Sequence, residues 1–277
     1  MSEKILITGA TGQLGTELSH LIPGAILTDL HELDITDATK VANFVFQNNI
    51  ETIVNCAAYT AVDKAEDDID AAYRVNTLGP SNLGKTRCKI IHISTDYVFD
   101  GQATSPYKTT DRPNPLSIYG KTKLMGEQEL LKHTENIIII RTAWLYSPYG
   151  NNFFKTMRRL GAGLNQINVV NDQIGTPTYA ADLAQAITKI IPQISYKTRG
   201  VYHFTNEGEC SWYDFAREIM RTSNLKCQVN PIPSSEYPTK APRPKYSVLD
   251  KTKIKDVFDV KIAHWMDGLK RCTERAK

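Results

Sequence analysis

Apolar positions arrive along this chain in short blocks separated by longer stretches with helical spacing. Ile5-Leu6-Ile7, Ala25-Ile26-Leu27, Ile53-Val54, Ile90-Ile91-His92-Ile93 and Ile137-Ile138-Ile139-Ile140 are too short for helices and are bounded by polar or small residues, as buried strands are. Between them, Gln13 to Ile22 carries Leu14, Leu18, Leu21 and Ile22 on one face, and Ala38 to Phe46 and Tyr119 to His133 also read as helices. Strands alternating with helices predict an α/β fold, a doubly wound parallel sheet. Residues 1–145 are expected to form the first domain, with a helix near 179–191 packing back on it. Residues 146–277 are expected to form mainly a smaller α/β substrate-binding domain that completes a cleft.

The turn after the first strand is Gly9-Ala10-Thr11-Gly12-Gln13-Leu14-Gly15, a G-x-x-G-x-x-G run leading into a helix. Glycines there allow a tight turn, admit a pyrophosphate against bare backbone and let helix and strand pack closely. This placement predicts a Rossmann-type dinucleotide site that uses Gly9, Gly12, Gln13, Leu14 and Gly15. Asp29 ends the second strand, about twenty residues past the first glycine, where an acid binds the adenosine ribose; the alternative is a solvated turn carboxylate. Asp34, before Ile35, is either an adenine-side residue or the N-cap of the helix from Ala38. The strand through Val54 ends in Ala57-Ala58-Tyr59, small enough at the first two positions for a cofactor to lie on the strand end.

Tyr119 and Lys123 are four residues apart, so a helix opening near Tyr119 places both on one face. A phenol beside an ammonium is expected to ionise more easily and so to exchange protons near working pH. Thr95 ends a predicted strand, where its hydroxyl can hold a carbonyl oxygen. A Tyr and a Lys at this spacing also occur by chance in many helices. The glycine turn and a strand-end hydroxyl in the same chain are what give the pair its weight.

Together, STDYVFDG, YGKTKLMGE and RTAWLY resemble the dTDP-4-dehydrorhamnose reductases of the extended short-chain dehydrogenase/reductase superfamily. The resemblance implies a Thr95, Tyr119, Lys123 triad and reduction of the C4 keto group of dTDP-4-dehydro-L-rhamnose, with NADPH or NADH as the cofactor and dual use expected. Lys123 would tune the phenol and bind the nicotinamide ribose. It places Ala57, Ala58 and Tyr59 on the dinucleotide, Asp34 and Ile35 at its adenine side, and Asp96, Trp144 and Asn152 on the sugar nucleotide, while the guanidinium of Arg243 suits a bidentate contact to the diphosphate of that substrate. Asn76 matches a position that braces the lysine; otherwise it is a surface amide, just as Trp144 is otherwise a core aromatic and Arg243 a solvated charge. The sequence departs from the family between Asn76 and Lys89, where Gly79, Pro80 and Gly84 predict a truncated or broken helix. The family's dehydratases carry an Asp-Glu pair after the threonine, whereas Asp96 is followed here by Tyr97, which argues against dehydration. An epimerase, or a non-catalytic binding subunit that resembles a reductase, are the alternatives; the intact triad argues against the second.

Composition narrows the partners. A net charge of +3 with 23% charged residues and no basic run argues against nucleic acid. The five cysteines are scattered, with no C-x-x-C pair, and the six histidines form no zinc pattern, so the chain itself is read as carrying no metal site. From the resemblance alone, Mg2+ at a subunit contact and a homodimer enter as expectations. The first apolar segment is too short for a signal peptide or a membrane span, so a soluble cytoplasmic protein is expected.

Overall fold

The computed structural model describes residues 3–276; Met1, Ser2 and Lys277 lie outside the described residues. Its centre is a six-stranded sheet built from β1 (Ile5–Thr8), β2 (Ile26–Thr28), β3 (Thr52–Asn55), β4 (Lys89–Thr95), β5 (Ile137–Thr142) and a later strand, Gly200–His203. All its strands are parallel, in the order Gly200–His203, β5, β4, β3, β1, β2. The chain changes direction between β1 and β3, and open α/β sheets bind ligands at the strand ends beside such a switch.

Alternation along the buried strands sorts side chains into two layers. Ile7, Val54, Ile91, Ile138 and Ile140 face one side and pack with α1 (Gln13–Leu21). Leu6, Ile53, Ile90, Ile137 and Ile139 face the other, under α2 (Ala38–Asn48). Asp37 caps α2 by accepting from Lys40 N, so the cap expected of Asp34 falls three residues later. Asp34 instead closes a local turn on the N–H and hydroxyl of Thr36.

After the short α3 (Val62–Ala65), one helical run extends through α4 (Ile69–Tyr73), a π turn (Arg74–Leu78) and α5 (Gly79–Lys85). The broken helix expected here is therefore corrected: the run is continuous. A widened turn just before Pro80 relieves the clash of its ring with the preceding turn.

The helix that carries the candidate chemistry is α6 (Ile118–His133), capped by Ser117, which accepts from Gly120 N at 3.1 Å. Its buried face is Gly120, Thr122, Lys123, Gly126, Glu127 and Leu130, mostly polar or bare. Amphipathicity therefore does not dock it. Glu127 does, taking a bidentate contact from Arg141 of β5 at 2.9 and 2.7 Å and a hydrogen bond from Ser94 of β4 at 2.5 Å. Both oxygens of this buried carboxylate are thereby matched, as a buried charge requires. A side chain at Gly120 would meet the Tyr97 carbonyl at 2.1 Å, so glycine is what brings the start of α6 onto the end of β4.

Beyond β5 the chain builds a second lobe from β6 (Leu145–Tyr146), α7 (Phe153–Gly163), β7 (Gln166–Val170), β8 (Ile174–Gly175) and β9 (Thr178–Tyr179). The next helix, α8 (Ala180–Ile190), returns to pack on α1, followed by β10 (Gly200–His203), which is the sheet's sixth strand. Then come β11 (Cys210–Ser211), α9 (Trp212–Thr222), β12 (Gln228–Ile232), α10 (Thr252–Phe258) and α11 (Trp265–Arg275). The second lobe has its own apolar core around Tyr146, Phe154, Phe215, Ile219, Trp265 and Leu269. Ile254 and Phe258 of α10 join the first lobe instead.

Candidate active site

A cleft of about 530 Å³ opens at the C-terminal ends of β1, β2 and β3. Every dinucleotide residue expected from the sequence outside α6 lines it: Gly9, Gly12, Gln13, Leu14, Gly15, Asp29, Asp34, Ile35, Ala57, Ala58 and Tyr59. Gly9 has φ +66°, and a Cβ there would lie 2.7 Å from Ala57 N; a Cβ on Gly15 would strike Gly9 O at 2.3 Å. The turn therefore has room only for glycine. Helix α1 follows Gly12 at its N-cap, with no side-chain cap and no acid in its first turn, which leaves N–H donors facing the cleft. That donor set fits a pyrophosphate, so the residues present suit a dinucleotide.

Asp29 accepts from Thr11 N and Oγ1 at 2.9 and 2.5 Å. Burial pushes its carboxyl up, but the Thr11 hydrogen bonds outweigh this and hold it below the usual range. It is thus an ionised group oriented by the glycine turn, not a loose turn carboxylate. Asn76 is not a surface amide either: it is buried, accepts from Tyr59 N at 2.9 Å and donates to Tyr59 O at 3.1 Å. It clamps the cleft wall and touches Thr122, the neighbour of Lys123, rather than the lysine itself.

Thr95 and Tyr119 meet through their hydroxyls, and Lys123, four residues further along α6, lies near Cys56 of the cleft wall. The Thr95 hydroxyl faces the Tyr119 phenol, donates to Asp96 Oδ1 at 3.0 Å and accepts from Tyr97 N at 3.2 Å. Tyr97 packs edge-on against Tyr119, ring centroids 5.5 Å apart. Lys123 is buried, and its ammonium turns down to the sheet, donating to Ile93 O at 2.6 Å with His92 Nε2 at 3.4 Å. Burial lowers its pKa to about 8.

One expectation fails here. The phenol was expected to be eased toward ionisation by the ammonium, but burial pushes Tyr119 up to about 12, the Thr95 hydrogen bond recovers only part of this, and Lys123 makes no contact with it. Spacing puts the two residues on one face, yet the lysine's long side chain follows the Ile93 carbonyl. Asp96 is buried beside them. Burial raises it to about 6, and its Oδ2 has no hydrogen-bond partner among the described residues.

Of the expected sugar-nucleotide contacts, Asn152 is engaged within the protein: it caps α7 by accepting from Lys155 N, and its two amide protons are shared among Gln13 Oε1, Ser147 O and Tyr149 O. Trp144 has a left-handed backbone, φ +49°, and is half-buried, stacked on Trp212 with ring centroids 3.5 Å apart. A non-glycine residue in that region is strained and is found preferentially at functional sites. Arg243 is not solvated charge: it pairs with Asp63 at 2.5 Å, lies 5.9 Å over the Tyr97 ring, and keeps Nη1 without a partner. Trp212, Thr11 and Tyr97 were missed by the sequence reading. Tyr97, inside STDYVFDG, and Thr11, inside the glycine turn, stood in stretches already singled out. Among the described residues no cluster of three or more His, Cys, Asp or Glu could hold a metal, so the Mg2+ expectation finds no support. Nor is any helix among them long and apolar enough to cross a membrane.

A glycine turn into an uncapped helix, a parallel sheet with its switch at β1/β3, and a Thr, Tyr and Lys at the adjoining strand and helix define a short-chain dehydrogenase/reductase. The sequence model of the RmlD substrate binding domain family matches residues 3–277. A dTDP-4-dehydrorhamnose reductase of Aggregatibacter actinomycetemcomitans is 42% identical over 96% of this chain and 97% of its own length. A crystal structure of a dTDP-4-dehydrorhamnose reductase from Clostridium acetobutylicum superposes with a TM-score of 0.95 at 44% identity, covering 98% and 99% of the two chains. Another from Bacillus anthracis, in complex with NADP, does so with 0.95 at 39%, covering 99% and 100%. The chain belongs to the dTDP-4-dehydrorhamnose reductase family.

Proposed function

We propose that this protein reduces the C4 keto group of dTDP-4-dehydro-L-rhamnose to give dTDP-L-rhamnose, a step of nucleotide-sugar and cell-surface polysaccharide biosynthesis, using NADPH or NADH. The observation that carries the reading is the Thr95 hydroxyl facing the Tyr119 phenol, with Lys123 of the same helix near Cys56 in the wall of the dinucleotide cleft, in a chain of this family.

A bound nicotinamide supplies the hydride that the carbonyl carbon gains. The oxygen, as it gains negative charge, takes the phenolic proton of Tyr119. Burial, which pushes that phenol to about 12, keeps the proton in place until an alkoxide-like oxygen needs it. The Thr95 hydroxyl, held by the Tyr97 N–H, orients the oxygen by turning its single proton from Asp96 Oδ1 to the carbonyl. Lys123 has one donor committed to Ile93 O and another directed at His92, which leaves the third for the nicotinamide ribose. Solvent then returns a proton to Tyr119.

The half-buried Trp144 and Trp212 pair forms an apolar wall for the deoxysugar, Asp96 meets a sugar hydroxyl, and the free Nη1 of Arg243 suits a diphosphate oxygen. The lobes divide the work accordingly, with the dinucleotide on the first and much of the sugar nucleotide on the second. Dehydration is disfavoured because Tyr97, not a second carboxylate, follows Asp96, and burial raises its phenol further.

The test is oxidation of NADPH and NADH against a panel of 4-keto nucleotide sugars, with the product identified by NMR. dTDP-L-rhamnose formed with consumption of reductant is expected. Turnover without added reductant, from tightly retained dinucleotide, would point to an epimerase; no turnover with dinucleotide still bound would point to a binding subunit.

A further inference from the structure

Thr8, Asn55 and His92 stand directly opposite one another on β1, β3 and β4. All three are buried, and they continue the sheet face that carries Leu6, Ile53 and Ile90 below them. Three polar groups in a row on an apolar face are costly unless each finds a partner. Here they partner one another. Thr8 Oγ1 lies 2.7 Å from the Asn55 amide, the amide 2.9 Å from His92 Nδ1, and His92 Nε2 3.4 Å from Lys123 Nζ.

Counting donors decides where the protons lie. If Asn55 Nδ2 donated to Nδ1, the single proton of a neutral imidazole would sit on Nε2 and face the ammonium, donor against donor. An imidazolium is excluded too, because burial and then the Lys123 charge hold His92 well below its ordinary pKa. Turning the Asn55 amide over removes the conflict at both ring nitrogens. Its nitrogen then donates to Thr8 Oγ1, its oxygen accepts from Nδ1–H, and the Nε2 lone pair accepts from Lys123.

We infer that His92 is a positioning residue for the reduction, held as the neutral Nδ1–H tautomer by Asn55 and accepting a hydrogen bond from the Lys123 ammonium through Nε2. With Ile93 O it engages two of the three ammonium protons and directs the third toward the cleft. It also favours the charged form of a lysine that burial works against. Two other titratable groups face Nζ. Cys56, at the end of β3, is uncharged because burial pushes its thiol up to about 12. Glu127, one turn further along α6, is matched by Arg141 and Ser94 and forms no ion pair with Lys123 among the described residues. His92 is therefore the side chain that accepts directly from this amine.

The inference rests on Lys123 taking part in the reaction, so one arm of the test is blind to activity. In protein labelled with 15N-histidine, two-bond 15N–1H correlations at pH 7 report each ring's tautomer, and His92 is identified by its loss in His92→Gln. The Nδ1–H pattern is expected; an Nε2–H or doubly protonated ring would overturn the inference. In the second arm, Gln reproduces the position of Nε2 and Asn that of Nδ1. His92→Asn should lower kcat by at least ~10-fold and move the alkaline limb of kcat/KM down by about one pH unit, the size of one charge-assisted hydrogen bond. His92→Gln should recover most of both. Equal behaviour of the two variants, with dinucleotide affinity retained, would overturn it. If neither variant folds, the wild-type spectrum decides, with its signals assigned from backbone connectivities. An Nδ1–H ring in an enzyme whose Lys123→Met variant keeps full turnover would leave the contact standing and sink the catalytic reading instead.

Discussion

Lys123 Nζ donates to the Ile93 carbonyl at 2.6 Å, so the amine proposed to serve the reaction is fastened to the strand that ends in Thr95. Hydroxyl and amine thus keep their separation by way of one strand, and the phenol, one turn earlier on α6, completes the set. The same burial that fixes the amine lowers its pKa to about 8 while raising the phenol to about 12.

A pH dependence follows. The lysine is charged below its pKa and loses its proton as pH rises through about 8, whereas Tyr119 keeps its proton throughout that range. The kcat/KM profile, which reports the free enzyme, should therefore fall above about pH 8. Lys123→Met should lower turnover by ~100-fold or more and abolish that limb. A limb that persists in Lys123→Met would assign it to another group.

Asp96 offers stability in exchange for function. Its folded pKa of about 6 exceeds that of an unfolded aspartate, so the native state binds the extra proton more tightly. The stabilisation that this brings is fully present below about pH 4 and lost as pH rises through about 6. Asp96→Asn, neutral at every pH, should raise the unfolding free energy at pH 8 by up to about 3 kcal/mol while lowering turnover. Urea unfolding at pH 3.5 and pH 8 checks it: the gain belongs at pH 8, and an equal gain at both would mean that charge is not the cause.

Trp144 stacks on Trp212 at 3.5 Å between ring centroids, half-buried and with a strained backbone. Trp144→Ala should raise KM for the sugar nucleotide by ~10-fold or more, about what one lost aromatic contact costs, with little change in dinucleotide affinity. Calorimetric titration with each ligand separates the two. A sharp fall in thermal stability with sugar-nucleotide binding intact would make the pair a core element only.

Asp29, ionised and aimed by Thr11, should repel a 2′-phosphate, so Asp29→Ala should improve kcat/KM for NADPH relative to NADH. Wild type should use both, with a preference below the roughly hundredfold that a dedicated phosphate clamp gives. An unchanged ratio in the variant would mean that Asp29 does not touch the ribose.

The sheet was legible because buried parallel strands are nearly continuous apolar runs, and all five blocks from Ile5 to Ile140 became its strands. The cleft was legible because glycine at Gly9 and Gly15 answers a backbone demand that no other residue meets. What escaped was decided by side-chain reach and local competition. Spacing placed Tyr119 and Lys123 on one face but said nothing of the Ile93 carbonyl that draws the amine away. Asp34 and Asp37 are equally good caps as residue types, and only the winding of 34–37 chose between them. Asn152 looked free until the Ser147 and Tyr149 carbonyls engaged its amide. His92 sat in an apolar run, where its polarity was the one signal available.

The most direct measurement of the central claim is the turnover of Tyr119→Phe with dTDP-4-dehydro-L-rhamnose and NADPH, on protein shown by dinucleotide titration and thermal unfolding to be intact. The variant lacks one oxygen and with it the proton that the carbonyl oxygen must receive, so kcat should fall by ~100-fold or more while dinucleotide affinity stays near wild type. Turnover within a few-fold of wild type would contradict the account, since the proton would then come from elsewhere.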